Sequence, residues 1–356
     1  MSLHIEILKL NELPAFVQSK RFQQLPDIPI SPQRAHSYAQ HPKAKPSMQV
    51  LYLAWDEEQL VGYRLILPDT ALLPEGPRSV GWYSCVWVHP DHRGKGIAKQ
   101  LVEQTMADWK GQILYQNPAP ASHGLYQSTG RFAPYTLSGQ RWYHRFHLAE
   151  LWSRRKGNKH PLTLLLRIMD GIANSLVHPI LQTRLPKTYD STAIEEVDQW
   201  SLAALALMKA SNTEQLFHRD AETWQWITDY PWVEEGPEDK DSQRYYFSAK
   251  ARQYQQQRIE IRREGTIAGA LFTRLWNGHL DVLYWWGDAL AAQQAARYLG
   301  YQIRKQAVLS LTVFHPTLNA ALQDQHTGFS FTKPIERHYY YPKDWSIGDR
   351  QIQAGD

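Results

Sequence analysis

The sequence predicts an α/β (α+β) protein, a mixed central sheet flanked by helices and laid down in two tandem copies. Three observations predict it. The β-branched and aromatic run Val80 to Val88 leads into the turn His89-Pro90-Asp91-His92-Arg93-Gly94-Lys95-Gly96. Ile97, Leu101, Val102 and Met106 then recur at helical spacing. Short strand and helix patterns alternate through the first 150 residues, which implies parallel pairing through right-handed crossovers. The same order of patterns returns, more weakly, from about Tyr189.

A length of 356 residues fits about two domains. Hydrophobic residues make up 43%, enough for packed cores. The net charge of +4 and pI near 8.9 are mildly basic. No Lys/Arg face interleaved with aromatics appears, so nucleic acid is not an expected partner. Cys85 is the single cysteine, which excludes an internal disulfide. Scattered histidines give no metal-ligand spacing. The first residues lack a charged-then-apolar signal and no apolar run is long enough for a span, so a cytoplasmic protein is expected.

In chain order, Leu3 to Leu8 is a predicted strand and Pro32 to Gln40 a helix in a proline-punctuated stretch. Met48 to Trp55 and Leu60 to Leu67 form a hairpin around Asp56-Glu57-Glu58-Gln59, and Val80 to Val88 is the central strand. Lys95 to Trp109 is the long helix, Gln112 to Gln116 a fifth strand and Ala121 to Thr129 a further helix. Strands at Pro134 to Leu137 and Arg141 to His147 close the first domain, 1-150.

Residues 151-188 read as a basic linker, Arg154, Arg155, Lys156 and Lys159, followed by an amphipathic helix around Leu162 to Met169. The helix is expected to pack between domains; the alternative is an interfacial membrane helix. Arg167, Asp170 and Gly171 argue against a span. Residues 189-345 form the second copy and 346-356 a tail. Its strands are Ala193 to Val197, Tyr245 to Ala249, Gln257 to Arg263, Ile267 to Trp276, His279 to Trp285 and Val308 to Phe314. Its helices are Leu202 to Met208, Ala289 to Lys305 and Thr317 to His326, the last before Gly328-Phe329. Trp224, Trp226, Tyr230, Trp232, Trp285 and Trp286 could line a groove or fill the core.

The glycines of the 89–96 turn let backbone approach a ligand, and the positive end of the following helix suits a phosphorylated anion. The turn matches neither the Walker loop nor the dinucleotide fingerprint. It resembles the signature of the GCN5-related N-acetyltransferases (GNAT), Arg/Gln-x-x-Gly-x-Gly/Ala after Val-x-Pro, with Val88, Pro90, Arg93, Gly96 and Ala98 in those places. The resemblance implies the GNAT fold with acetyl-CoA as co-substrate. The pyrophosphate would lie on Arg93, Gly94, Lys95, Gly96, Ile97 and Ala98. The pantetheine arm would lie along the backbone of Val86, Trp87 and Val88, where the central strand splays from the fifth. Asn117 and Leu125-Tyr126-x-x-x-Gly130 resemble the family's second segment, with Arg131 in place of the usual phenylalanine and Phe132 one place late. By that resemblance Tyr126 protonates the departing thiolate, a task a phenol of pKa near 10 can perform.

The family's usual carboxylate base is missing from Trp82-Tyr83-Ser84-Cys85, and none of His36, His89, His92 and His123 is singled out as a base. Cys85 lies in an apolar strand and reads as core rather than as a nucleophile. The second copy has Tyr-Trp-Trp-Gly-Asp where the cationic turn would stand, so it reads as degenerate. The expected activity is direct transfer of acetyl from acetyl-CoA to a primary amine of a small molecule or peptide. The alternatives are a non-catalytic acyl-CoA-binding or scaffold protein, and a membrane-associated acyltransferase using longer acyl-CoA.

Overall fold

In the computed structural model of the chain, residues 3–156, 160–210, 215–325 and 331–356 are described. The elements in order are β1 (Leu3–Lys9), α1 (Leu13–Gln18), α2 (Lys20–Gln24), α3 (Pro32–Ala39), β2 (Gln49–Asp56), β3 (Gln59–Leu73), β4 (Gly76–Val88), α4 (Ile97–Asp108), β5 (Ile113–Gln116), α5 (Pro120–Gln127) and β6 (Phe132–Tyr143). Then come α6 (Leu148–Lys156), α7 (Pro161–Arg184), β7 (Ile194–Val197), α8 (Leu202–Ala210), α9 (Ala221–Asp229), β8 (Glu234–Glu235), α10 (Lys240–Arg244) and β9 (Lys250–Ala251). The last are β10 (Tyr254–Arg263), β11 (Thr266–Trp276), β12 (His279–Gly287), α11 (Ala289–Lys305), β13 (Ser310–Val313), α12 (Pro316–Asp324) and β14 (Phe331–Pro342).

The chain forms two compact units that interleave along the sequence. Unit 1 takes residues 3–137, 215–254 and 337–352; unit 2 takes 138–156, 160–210, 255–325, 331–336 and 353–356. These boundaries differ from divisions at 150, 188 and 345. β6 is the reason at one end: Ser138 onward leaves unit 1, and Gln140 to Tyr143 pair antiparallel with β13. Expected as two strands closing the first domain, β6 is one strand. Gly139 is no turn but a close approach, since a Cβ there would meet Val313 O at 2.6 Å. At the other end Tyr339 and Tyr340 of β14, a strand not foreseen, pair antiparallel with Gln116 and Tyr115 of β5.

Unit 1 orders its sheet β1-β2-β3-β4-β5-β14, antiparallel except for β4 with β5. Period-two alternation sorts β2 onto both faces. Tyr52 and Ala54 join Ile97, Leu101, Val102 and Met106 of α4, while Leu51 and Leu53 join Phe16, Phe22 and Tyr38 of α1 to α3. Short helices start where side chains cap them: Ser19 accepts the Phe22 N–H and Ser31 the Arg34 N–H. A buried pair ties 215–254 to this sheet, with Arg219 Nη1 and Nη2 donating to Asp69 Oδ1 and Oδ2 at 2.7 and 2.9 Å.

Unit 2 orders its sheet β6-β13-β12-β11-β10-β7, with β12 and β13 parallel. Ala291, Ala292, Ala295, Ala296 and Leu299 form the buried face of α11, small side chains that let the helix lie close on the sheet. The strand expected over Tyr245 to Ala249 is instead a single bridge of Tyr245 to Ile28 within unit 1. Gly328 and Phe329 lie outside the described residues, as does Lys159 of the basic linker.

Of the two readings of the aromatics, Trp224, Trp226, Trp285 and Trp286 take the core, and Trp226 Nε1 donates to Ser37 O. Two further expectations are corrected. The helix expected to pack its leucines inward does the reverse: in α7 Leu164, Leu165, Ile168, Met169, Ile172, Leu176 and Ile180 are all exposed. By length and composition α7 also qualifies as a membrane span, contrary to the expectation that no run reaches that length.

Candidate functional site

Parallel pairing between β4 and β5 is brief. It joins Gly81 to Ile113 and Trp82 to Leu114, after which no pair between them follows among the described residues. From Tyr83 onward the two strands part. A bulge marks the same place: Ser84 and Cys85 stand opposite Leu65 alone, one extra residue on β4. Past the bulge, His89 donates to Val61 O at 2.9 Å. Antiparallel alternation then turns the backbone groups of Trp87 toward β3 and those of Val86 and Val88 toward the opening. The Val88 carbonyl faces that way, accepting from Arg93 Nε at 3.3 Å. Trp87 itself is core, its ring stacked on Tyr63 at 5.4 Å.

The turn that follows holds Gly94 at φ +78° and Gly96 at φ +82°, both in the left-handed region. Gly96 is the N-cap of α4 and brings no side chain to the helix start. A Cβ at either glycine would meet nothing within 4 Å, so this helix end is open. Arg93 to Gly96 are exposed, and Ile97 is buried as the anchor of α4. Gly62 permits that anchorage, because a Cβ there would lie 2.9 Å from Ile97 Cγ2.

Tyr126 sits on α5, buried, with its ring 5.2 Å from Tyr83 and 4.5 Å from Tyr115. Tyr83 shares a hydrogen bond with Thr105, and Tyr115 accepts from Gln127. The Tyr126 hydroxyl has no hydrogen-bond partner among the described residues. Arg64, absent from the predicted site, lies 1% exposed with its guanidinium 4.1 Å from the Tyr83 ring and 5.2 Å from that of Tyr126. Its Nε and Nη2 lack hydrogen-bond partners, an uncommon state for a buried cation. The available signal was a lone arginine inside the apolar run Leu60 to Leu67.

Asn117 is engaged in strand pairing. Its backbone is left-handed at φ +39°, its N–H donates to His338 O, and its Oδ1 accepts the His338 N–H. Those bonds close β14 onto β5. The bulge residues are also engaged: Arg34 donates to Ser84 Oγ at 2.6 Å and Cys85 Sγ at 3.0 Å and lies 4.3 Å over the Trp232 ring. Cys85 is buried in this cluster as a packed thiol. Of the four histidines, His89 and His92 have carboxylates at equal range, their Nδ1 atoms 3.9 Å from Asp91 Oδ2 and Asp56 Oδ2. A cleft of about 510 Å³ opens beside His89 and is lined by Asp27, Glu57 and Glu58 with Arg21, which itself pairs with Glu6.

Residues 47–130 match the sequence profile described as "Acetyltransferase (GNAT) domain". This segment is a GNAT domain. It contains the turn, α4, the splayed strands and Tyr126. Among curated proteins no sequence matches the chain. Solved structures resemble it at low identity and therefore in fold alone. Saccharomyces cerevisiae N-myristoyltransferase with bound myristoyl-CoA aligns at 11% identity and TM-score 0.51, over 98% of this chain and 88% of that one. A Pyrococcus horikoshii protein named as an acetyltransferase aligns at 10% and 0.50, over 100% and 94%. An Enterococcus faecalis protein named as an N-acyltransferase aligns at 14% and 0.50, over 95% and 72%. The GNAT fold thus accounts for the α/β class read from the sequence.

Proposed function

We propose that unit 1 binds acetyl-CoA and transfers its acetyl group directly to a primary amine of a small molecule or peptide. The observation that carries this reading is the open start of α4, with glycines at positive φ, at the mouth of the parted β4 and β5. A pyrophosphate on Arg93, Gly94, Lys95, Gly96, Ile97 and Ala98 meets free N–H groups and the positive helix end. The pantetheine amides take the place of the missing β5 partner along Val86 and Val88.

Attack by the amine on the thioester carbonyl forms the C–N bond and places negative charge on the carbonyl oxygen. A β4 backbone N–H is the donor for that charge. Collapse breaks the C–S bond, the free hydroxyl of Tyr126 protonates the thiolate, and the proton shed by the amine nitrogen restores the phenol through water. Arg64 holds the Tyr83 and Tyr126 rings from behind. The carboxylates Asp27, Glu57 and Glu58 beside His89 favour a cationic amine over an anionic acceptor.

Calorimetric titration of acetyl-CoA, desulfo-CoA and a long-chain acyl-CoA into wild type and Arg93→Ala/Gly96→Glu tests the reading. Binding lost only in the double variant supports the turn as the coenzyme site, and the chain-length preference identifies the acyl group. No binding by wild type refutes it. Binding without amine-dependent CoA release across an amine library would favour a non-catalytic acyl-CoA-binding role.

A further inference from the structure

The helix α7 is built inside out. Its inward side carries Thr163, Asp170, Asn174, His178 and Gln182 beside one buried leucine, Leu181, and hydrogen bonds tie it to the body of unit 2. Asp170 Oδ1 and Oδ2 accept the N–H groups of Leu148 and Ala149 at 3.0 and 2.9 Å, capping α6. Asn174 accepts from Phe146 N and donates to Phe146 O, both at 2.9 Å, and Arg145 Nη2 lies 2.6 Å from His178 Nε2. The opposite side exposes Leu164, Leu165, Ile168, Met169, Ile172, Leu176 and Ile180, with Leu164 at 65% and Leu176 at 69% of full exposure. At 1.5 Å per residue that stripe is about 24 Å long. Phe146, Leu148 and Leu151 at the start of α6 are exposed as well.

We propose that this face lies in the headgroup region of an anionic phospholipid bilayer, with α7 parallel to the membrane plane. Three observations select that occupant. The stripe is purely aliphatic, Leu, Ile and Met, without the Trp, Tyr or Arg that anchor protein partners. Between Tyr143 and Thr188 the sequence carries eight cations, Arg145, Arg154, Arg155, Lys156, Lys159, Arg167, Arg184 and Lys187, against only Glu150 and Asp170. This excess of six exceeds the +4 of the whole chain, so the remainder is net negative. Positive charge and the apolar helix therefore coincide in one stretch of the sequence, as a peripheral helix on anionic lipid requires. A crossing orientation is disfavoured, because it would strip Asp170, Asn174 and His178 from their partners and carry them into hydrocarbon.

The test is co-sedimentation of the full chain with vesicles of phosphatidylcholine alone and of phosphatidylcholine with about one third phosphatidylglycerol. The expected result is at least about tenfold tighter binding to the anionic vesicles. Ile168→Gln/Ile172→Gln/Leu176→Gln, whose positions are exposed and so leave the fold intact by circular dichroism, lowers that binding at least about tenfold. Arg154→Gln/Arg155→Gln/Lys156→Gln weakens it by about fivefold per cation and flattens its salt dependence. No vesicle binding, or binding indifferent to the triple glutamine variant, overturns the proposal. So does a wild-type dimer in sedimentation velocity that the same variant dissociates without any vesicle binding, which would make the face a contact between copies.

Discussion

At the start of α4 the N-cap is Gly96, with no side chain to offer the helix's free N–H groups; at the start of α11 it is Asp288, whose Oδ1 accepts the Ala291 N–H at 2.8 Å. The Asp288 carboxylate also holds Arg263 at 2.8 Å. In both units a bulge adds one residue to the central strand, and the parallel pairing that precedes it is short. In unit 2, though, the strand beyond the last parallel pair is already engaged. Trp285 N–H donates to Gln353 Oε1, Tyr284 OH donates to Asp356 Oδ1, and Gly355 packs so tightly on the Tyr284 ring that a Cβ would lie 2.0 Å away. The same corner is left vacant in one unit and filled by the protein's own groups in the other. The two corners differ in the side chain at the helix cap and in what lines the strand, rather than in the fold.

The largest expected effect tests that statement directly. Gly96→Glu, which gives unit 1 the carboxylate that unit 2 has, lowers acyl-CoA affinity by about 100-fold or more in calorimetry, from strain at positive φ and repulsion of pyrophosphate. Retained affinity would break the comparison.

A second test concerns pH and uses hydrogen exchange, read on β13 peptides. Burial lowers His144 to about 4 from the ordinary 6.5, so the folded state keeps it neutral where the unfolded chain takes up a proton. Stability of unit 2 therefore falls as pH drops from about 6.5 toward 4, by roughly 3 kcal/mol at most for this one side chain at 1.36 kcal/mol per pKa unit. His144→Leu should flatten that dependence in β13 while leaving β3 peptides of unit 1 unchanged. An unaltered profile would exclude His144 as its source.

Smaller again is Tyr126→Phe, expected to lower kcat about ten- to hundredfold with acyl-CoA affinity preserved. Equal loss of both would make Tyr126 a packing residue. The smallest is Asp288→Ala, which should cost unit 2 about 1 kcal/mol in denaturant titration through loss of a cap. It should confer no CoA affinity when placed on Gly96→Glu, because Gln353 still occupies the strand.

The sequence made the local corner legible. The strand into Val88, the turn glycines and the α4 periodicity lie within 30 residues, and the hairpin around Glu57 and the span of α11 were equally readable. What it concealed depends on distance. Nothing near β5 announces that Tyr339 and Tyr340 pair with it, and nothing in Trp224 or Arg219 assigns them to unit 1. The α7 periodicity was visible, but which stripe faces inward follows from Asp170 and Asn174 finding partners in α6 and its approach, which no periodicity encodes.

The exchange of β6 and β14 also has a consequence in time. The edge of β5 in unit 1 waits for Arg337–Pro342, more than 200 residues later in synthesis. At typical elongation rates of 5–20 residues per second the nascent GNAT segment is exposed for on the order of tens of seconds with that edge unpaired. Such long-range closure is slow, and a chain cut after residue 150 ends with the same edge bare. The corner between β4 and α4 is thus encoded early but completed late, so premature termination gives an aggregation-prone fragment.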